Sequence, residues 1–281
     1  MTSEPQQFVQ SVVLGLVEGI TEFLPISSMA HMKVVPMLLG WGDPGLAVGA
    51  VIQLGSISAV ICYFRKDLLA VMQSVIESAR KKDWNHKNTR LGLSILVGTL
   101  PVVIAGLVIK KFVPGFDHSS LRSLQSIGVV SIIMALLLTL AEQFATHQRE
   151  LSDIRVKDGV LVGIAQTLAI IPGVSRSGST LTASLFDNWK RDDAARFSFQ
   201  LGIPAITLGG LAELKDAFAD GATYGIMPLF AGVVTAFISS LFVIHFFIRY
   251  LQTNTTIVFV IYRLAFGTFL ITAGNAIQNT Q

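Results

Sequence analysis

Six stretches of the chain are almost wholly apolar: Leu46 to Phe64, Leu91 to Ile109, Ser123 to Ala141, Phe197 to Leu214, Tyr224 to Phe247, and Thr256 to about Asn275. A helix of about 20 such residues covers the ~30 Å of hydrocarbon in a bilayer. Two further apolar regions, Phe8 to Leu39 and Gly159 to Phe186, are broken near the middle. Glu18, Glu22, Pro25, Ser27, Ser28 and His31 interrupt the first; Pro172, Gly173, Ser175, Arg176, Ser177 and Gly178 interrupt the second. Broken helices persist at membrane depth only where protein or a water-filled cavity satisfies the freed backbone groups. The pattern predicts an all-α integral membrane protein, with six transmembrane helices and two re-entrant helix-break-helix hairpins in one polytopic domain over residues 1–281.

Composition agrees. Apolar residues make up 52% of the 281, and charged residues only 14%, against about 25% in ordinary soluble domains. Mean hydropathy is +0.62. A soluble globule and a disordered chain are both excluded, since disorder requires low hydrophobicity and high net charge. The net charge of +3 sits in short loops between apolar runs, so nucleic acid is not an expected partner. Cys62 is the single cysteine, which rules out an intrachain disulfide and a thiolate metal site. Residues 1–7 carry Glu4 and no Lys or Arg. The basic region of a cleaved signal peptide is missing, so the apolar segments are expected in the mature protein.

Charge placement predicts orientation. With the N-terminus outside and neither hairpin crossing, segments 65–90, 142–158, 188–196 and 248–255 lie inside and hold 14 of the 21 Lys and Arg. Segments 1–7, 32–45, 110–122 and 213–222 lie outside and hold 5, while Arg176 and Arg263 fall within membrane segments. This is the excess that the positive-inside rule requires, and it makes the hairpins enter from opposite faces.

An internal repeat supports the opposed hairpins. Gly15-Leu16-Val17-Glu18 matches Gly163-Ile164-Ala165-Gln166 at an offset of 148, while Pro25 with Pro172 and Gln53-Leu54-Gly55 with Gln200-Leu201-Gly202 match at 147. Repeat one covers about 8–141 and repeat two about 158–275. Three crossings between them invert the second copy, an arrangement that places binding sites near the midplane between half-helix ends.

The candidate chemistry lies in the two breaks. Glu18 and Glu22, four apart, share one helix face, where two carboxylates in apolar surroundings share a proton or hold a cation. Intramembrane ionisable groups are functional candidates by default. Ser27, Ser28 and His31 follow within five residues. If a helix starts at the serines, His31 lies on the same side as Ser28, placed to orient or deprotonate a hydroxyl; the same serines also suit a helix cap. In the second break, glycines admit backbone amides to an anion, hydroxyls donate, and Arg176 offers a bidentate fork for phosphate. An unpaired arginine at mid-membrane costs at least about 2.5–3.5 kcal/mol, so Arg176 is expected to meet Glu18, Glu22 or a substrate phosphate. Together these groups point to phosphoryl transfer on a lipid, a reaction governed by positioning and charge neutralisation.

Three segments, Glu18-Gly-Ile-Thr-Glu22-Phe-Leu-Pro25-Ile-Ser27-Ser28-Met29-Ala-His31, Val51-Ile-Gln53-Leu-Gly55-Ser56 and Pro172-Gly173-Val-Ser175-Arg176-Ser177-Gly-Ser-Thr180, resemble the undecaprenyl-diphosphate phosphatases of the BacA type, associated with bacitracin resistance. Ile261-Tyr262-Arg263 also matches, and the likeness covers nearly the whole chain. Met29 departs from the family's usual Thr at that position. The resemblance implies hydrolysis of undecaprenyl diphosphate to undecaprenyl phosphate, recycling the carrier for peptidoglycan and other envelope polymers. It implies Ser28 as nucleophile or activator of water with His31 assisting, Arg176, Ser175 and Thr180 holding the diphosphate, and Glu18 and Glu22 binding Mg²⁺ or Ca²⁺ or tuning His31. Ser27, Gln53, Gly173 and Ser177 complete the expected substrate site. The implied setting is a bacterial inner membrane with the site open outward; the C55 lipid and the bilayer are the expected partners, and a homo-oligomer is compatible with them. The PAP2-type lipid phosphatases have a histidine six residues after their arginine, where this chain has Thr182. The competing reading is a transporter or flippase of a lipid phosphate or anion, since paired broken helices in inverted repeats are typical of secondary transporters; such a protein needs anion ligands but no nucleophile.

Overall fold

A computed structural model describes residues 3–42, 45–113, 115–116, 119–220 and 224–279. Regular structure among these residues is helical: α1 (Glu4–Thr21), α2 (Ser28–Leu38), α3 (Leu46–Tyr63), α4 (Arg65–Lys81), α5 (Lys87–Phe112), α6 (Leu124–Phe144), α7 (Val156–Thr167), α8 (Arg176–Phe186), α9 (Arg191–Asp220), α10 (Ile226–Thr253) and α11 (Ile257–Asn279). Five of them are long and apolar enough to cross a membrane: α5, α6, α9 over Arg191–Leu214, α10, and α11 over Ile257–Gly274. The bent pair α3 and α4 supplies a sixth if counted as one span. On α5, Leu96, Leu100, Ile104 and Leu107 form an exposed apolar stripe at helical spacing, a surface suited to hydrocarbon rather than water. The protein is a multi-pass membrane protein.

Several segments expected between the spans are helical in whole or in part: α9 runs on through 213–220 and α10 through 248–253, and two others need a further reason. Within 65–90, the chain turns 66° after α3 and continues as α4. Leu68 and Val71 pack against the core, while Arg65, Lys66, Arg80 and Lys81 remain exposed. A search for uniformly apolar runs passes over such an amphipathic helix. Within 188–196, α9 begins at Arg191 with Asp192 and Asp193 in its first turn, where carboxylates favour a helix N-terminus.

Both interrupted regions are helix pairs around a break. The first break runs from Glu22 to Ser27 between α1 and α2; the second lies between α7 and α8 and includes a 3-10 turn over Leu168–Ile170. In each, the residue before the second helix is a serine with positive φ: Ser27 at 74° and Ser175 at 71°. That conformation costs a side-chain-bearing residue energy and persists only where its surroundings hold it. Close helix contacts frame the breaks. A Cβ added to Gly15 of α1 would lie 2.3 Å from the carbonyl oxygen of Gly232 on α10, and one on Gly163 of α7 would lie 2.2 Å from that of Gly98 on α5. Only glycine lets these backbones approach so closely.

The main apolar core lies alongside the breaks and includes Phe23, Leu181, Phe199, Val243 and Phe247. At its loop end, the backbone NH groups of Gln148 and Arg149 donate to the Asn188 carbonyl, and Arg149 pairs with Asp158 at 2.6 Å and with Asp187. These contacts fix the end of α8 against the segment that leads into α7.

Candidate active site

Glu22 opens the first break and faces Arg176 at the second. Its Oε2 accepts from Ser28 Oγ at 2.5 Å, and its Oε1 pairs with Arg176 Nη2 at 3.1 Å. The Ser28 contact is at the short end of the range for a hydroxyl donor. Glu22 is 7% exposed and Arg176 11%, so the ion pair is nearly dry. Arg176 Nη1 donates to the Ser198 carbonyl at 3.2 Å; the guanidinium lies 6.0 Å from the centre of the Phe23 ring and packs against Gly202, where a Cβ would fall 2.1 Å from Nη1. Its Nε is buried without a partner.

His31 is turned away from Ser28. Its Nδ1 lies 2.8 Å from the Ser27 carbonyl and its Nε2 2.6 Å from the Tyr262 hydroxyl. A carbonyl only accepts, so Nδ1 carries the proton, and in the neutral ring Nε2 accepts from Tyr262. The ring stacks on Phe266 with centroids 4.3 Å apart. The expected pairing of His31 with Ser28 is therefore replaced by one between Glu22 and Ser28. One helical turn along α2 puts His31 opposite the carbonyl of the residue preceding Ser28, while the break bends Glu22 back to the hydroxyl.

The hydroxyls of the second break are engaged internally. Ser177 Oγ donates to the Glu22 and Leu24 carbonyls at 3.2 and 2.9 Å, which joins the second break to the first. Ser175 Oγ accepts from Gly178 N at 3.1 Å, capping α8. Thr180 Oγ1 donates to the Arg176 carbonyl at 2.9 Å and meets Ser198 Oγ at 2.5 Å. Gly173 takes φ 94° where a Cβ would lie 2.7 Å from the Ile127 carbonyl oxygen. Among the described residues, Gln53 makes no hydrogen bond to either break; its Oε1 lies beside Gly210 of α9.

Glu18 is 4% exposed, and its Oε1 is buried without a partner. Glu22, Glu213 and Arg176 are the charged groups that act on it. Among the described residues, no group of three or more His, Cys, Asp or Glu is placed to hold a metal. Both oxygens of Glu22 are engaged, so of this pair of carboxylates it is Glu18 Oε1 that stands without a partner. That fits a magnesium-like ion taking one or two carboxylates and completing its shell with water and substrate phosphate.

Two residues outside the expected set stand in this cluster. Arg263, 1% exposed, donates through Nη1 to the Pro25 and Val174 carbonyls at 2.9 and 3.1 Å and through Nη2 to the Gly173 carbonyl at 2.7 Å. Its Nε donates to the Ser131 carbonyl on α6 at 3.2 Å. Tyr262, beside it, holds His31. The available signal was Arg263 itself, a charge inside an apolar run, which by the reasoning applied to Arg176 requires a partner.

A family profile described as "Bacitracin resistance protein BacA" matches residues 11–269. Proteins named undecaprenyl-diphosphatase are similar over nearly the full length of both chains. That of Synechococcus sp. (strain RCC307) is 61% identical, covering 93% of this chain and 92% of its own. That of Prochlorococcus marinus (strain MIT 9313) is 57% identical, covering 93% and 88%. That of Synechococcus elongatus (strain ATCC 33912 / PCC 7942 / FACHB-805) is 55% identical, covering 94% and 92%.

Proposed function

The chain belongs to the bacitracin resistance protein BacA family, and from that premise we propose that it works as an undecaprenyl-diphosphate phosphatase through a Ser28–Glu22–Arg176 centre. It is a membrane hydrolase that converts undecaprenyl diphosphate to undecaprenyl phosphate and inorganic phosphate, returning the carrier lipid to peptidoglycan and envelope polymer synthesis. The observation that carries the mechanism is one carboxylate, Glu22, in contact with the Ser28 hydroxyl on one side and the Arg176 guanidinium on the other.

Ser28 Oγ attacks the terminal phosphorus, and Glu22 takes the hydroxyl proton. The bond from that phosphorus to the bridging oxygen breaks, and its electron pair leaves with undecaprenyl phosphate, a stable anion. Water then attacks the phosphorus of the phosphoserine, the bond from phosphorus to Ser28 Oγ breaks, Glu22 returns its proton to Oγ, and the water protons leave on the inorganic phosphate. Arg176 and the N-terminus of α8 neutralise the phosphate oxygens. His31 holds the Ser27 carbonyl and so the peptide that leads into Ser28. Glu18 would hold a divalent cation such as Mg²⁺ or Ca²⁺ through its unpaired oxygen, with Glu22 kept to Ser28 and Arg176, and the cation would supply further neutralisation of the diphosphate.

The setting we infer is a bacterial inner membrane, with the two helix pairs as re-entrant hairpins of an inverted repeat and the site open outward. Matched serines of positive φ at the two breaks and matched glycine contacts of α1 with α10 and α7 with α5 support the repeat.

Phosphate release from C55 diphosphate by purified protein in detergent tests the reading. Ser28→Ala and Arg176→Ala should each lower the rate by at least about 100-fold, and chelation should abolish activity until Mg²⁺ or Ca²⁺ is restored. Full activity in both variants would overturn the assignment. An inactive wild-type protein supplied with cation would favour transport.

A further inference from the structure

The two breaks come from segments about 147 residues apart, yet the reaction requires Glu22 and Ser28 to face Arg176 at fixed spacing. Three bonds from one guanidinium span that gap. Arg263 binds the Pro25 carbonyl of the first break and the Gly173 and Val174 carbonyls of the second, and anchors the set to α6 through Ser131. Among the described residues it has no carboxylate in salt-bridge range, and it is 1% exposed. A cation placed this deep without an ion pair is held by carbonyl dipoles alone, an expensive arrangement for mere packing. It also lies behind the start of α8, where a Cβ on Gly178 would be 3.1 Å from Nη1. The preceding residue, Tyr262, binds His31 at 2.6 Å, and His31 in turn holds the carbonyl of Ser27 at 2.8 Å, immediately before Ser28. Ser27 has the strained φ of 74°, so its geometry depends on such support.

We propose that the consecutive pair Tyr262–Arg263 on α11 is the positioning element of this site: Arg263 sets the spacing between the two breaks, and Tyr262, through His31, sets the peptide that presents Ser28. This rests on the phosphatase reading of the breaks. Neither residue touches the reacting atoms. Both act by preorganisation, which lowers the barrier without adding a contact to the substrate.

The test compares wild type, Tyr262→Phe and Arg263→Lys. Tyr262→Phe keeps the ring and removes one hydroxyl; Arg263→Lys keeps the charge and loses the planar fork. Each should lower kcat per folded protein about 10-fold or more, as loss of a partner that orients an imidazole or ligand typically does, with KM within about twofold of wild type. Spin labels at Met29→Cys and Leu168→Cys, in a Cys62→Ala background, report the spacing of the breaks without reference to activity; Met29 and Leu168 are both more than 40% exposed. The distance distribution should be narrow with Arg263 and broad with Lys. A purely structural role lowers the melting temperature but leaves kcat and the distribution unchanged, and that result would overturn the proposal. If Arg263→Lys does not fold, wild-type kcat in Tyr262→Phe is sufficient to overturn it. A wild-type protein without phosphatase activity would refute the phosphatase reading, whereas the label distances would still decide the role of Arg263.

Discussion

Glu22 carries two tasks with one carboxylate, and Glu22→Gln separates them. The amide keeps an oxygen for the Ser28 hydroxyl but removes the charge facing Arg176. Leaving a buried guanidinium unpaired costs about 3 kcal/mol or more, so the variant should melt at a lower temperature. Phosphate release should fall at least about 100-fold, because the amide cannot take the Ser28 proton. Near-wild-type turnover in Glu22→Gln would remove the carboxylate from the mechanism. Residue types and spacing revealed Glu18, Glu22, Ser28, His31 and Arg176 as a group. They did not reveal that His31 turns to Ser27 and Tyr262, because its direction depends on α11, more than 200 residues away in sequence.

At the level of elements, α1 and α7 depend on glycine. Gly163→Leu should separate α7 from α5, since even a Cβ would fall 2.2 Å from the Gly98 carbonyl oxygen. The expected result is loss of a monodisperse peak in detergent, or a large fall in melting temperature. Gly106→Ala on α5 is the control. Nothing lies within 4 Å of its added Cβ, so the helix should gain stability by about 0.5–1 kcal/mol. Equal behaviour of the two variants would show that close approach is not what positions α7. The apolar spans were legible because burial in lipid leaves a uniform signature. The helix α4 was not, because its apolar positions are interspersed with Gln73, Ser74, Glu77 and Ser78 and flanked by Arg and Lys at both ends.

For the whole molecule, orientation is the open physical quantity, and labelling reads it directly. In a Cys62→Ala background, a cysteine at Phe116 should react with an impermeant thiol reagent from outside intact cells, and one at Asn85 should not. The reverse pattern would invert the topology inferred from Lys and Arg placement and turn the site toward the cytoplasm. The rule behind this expectation acts on loop charge during insertion, so it is independent of how the helices pack afterwards.

The solvent, the class of fold and the class of chemistry were legible in the chain before folding. Apolar periodicity, the scarcity of charge and the few ionisable groups at membrane depth are local properties, written in consecutive residues. Tertiary packing sets which carboxylate the Ser28 hydroxyl meets, what Arg176 pairs with, and that Arg263 ties Pro25 to Gly173 and Val174. Apart from the Ser28–Glu22 contact inside the first break, these are contacts between segments remote in sequence. Their geometry follows from helix packing at glycine contacts and from the satisfaction of carbonyls freed at two breaks, which no single segment encodes.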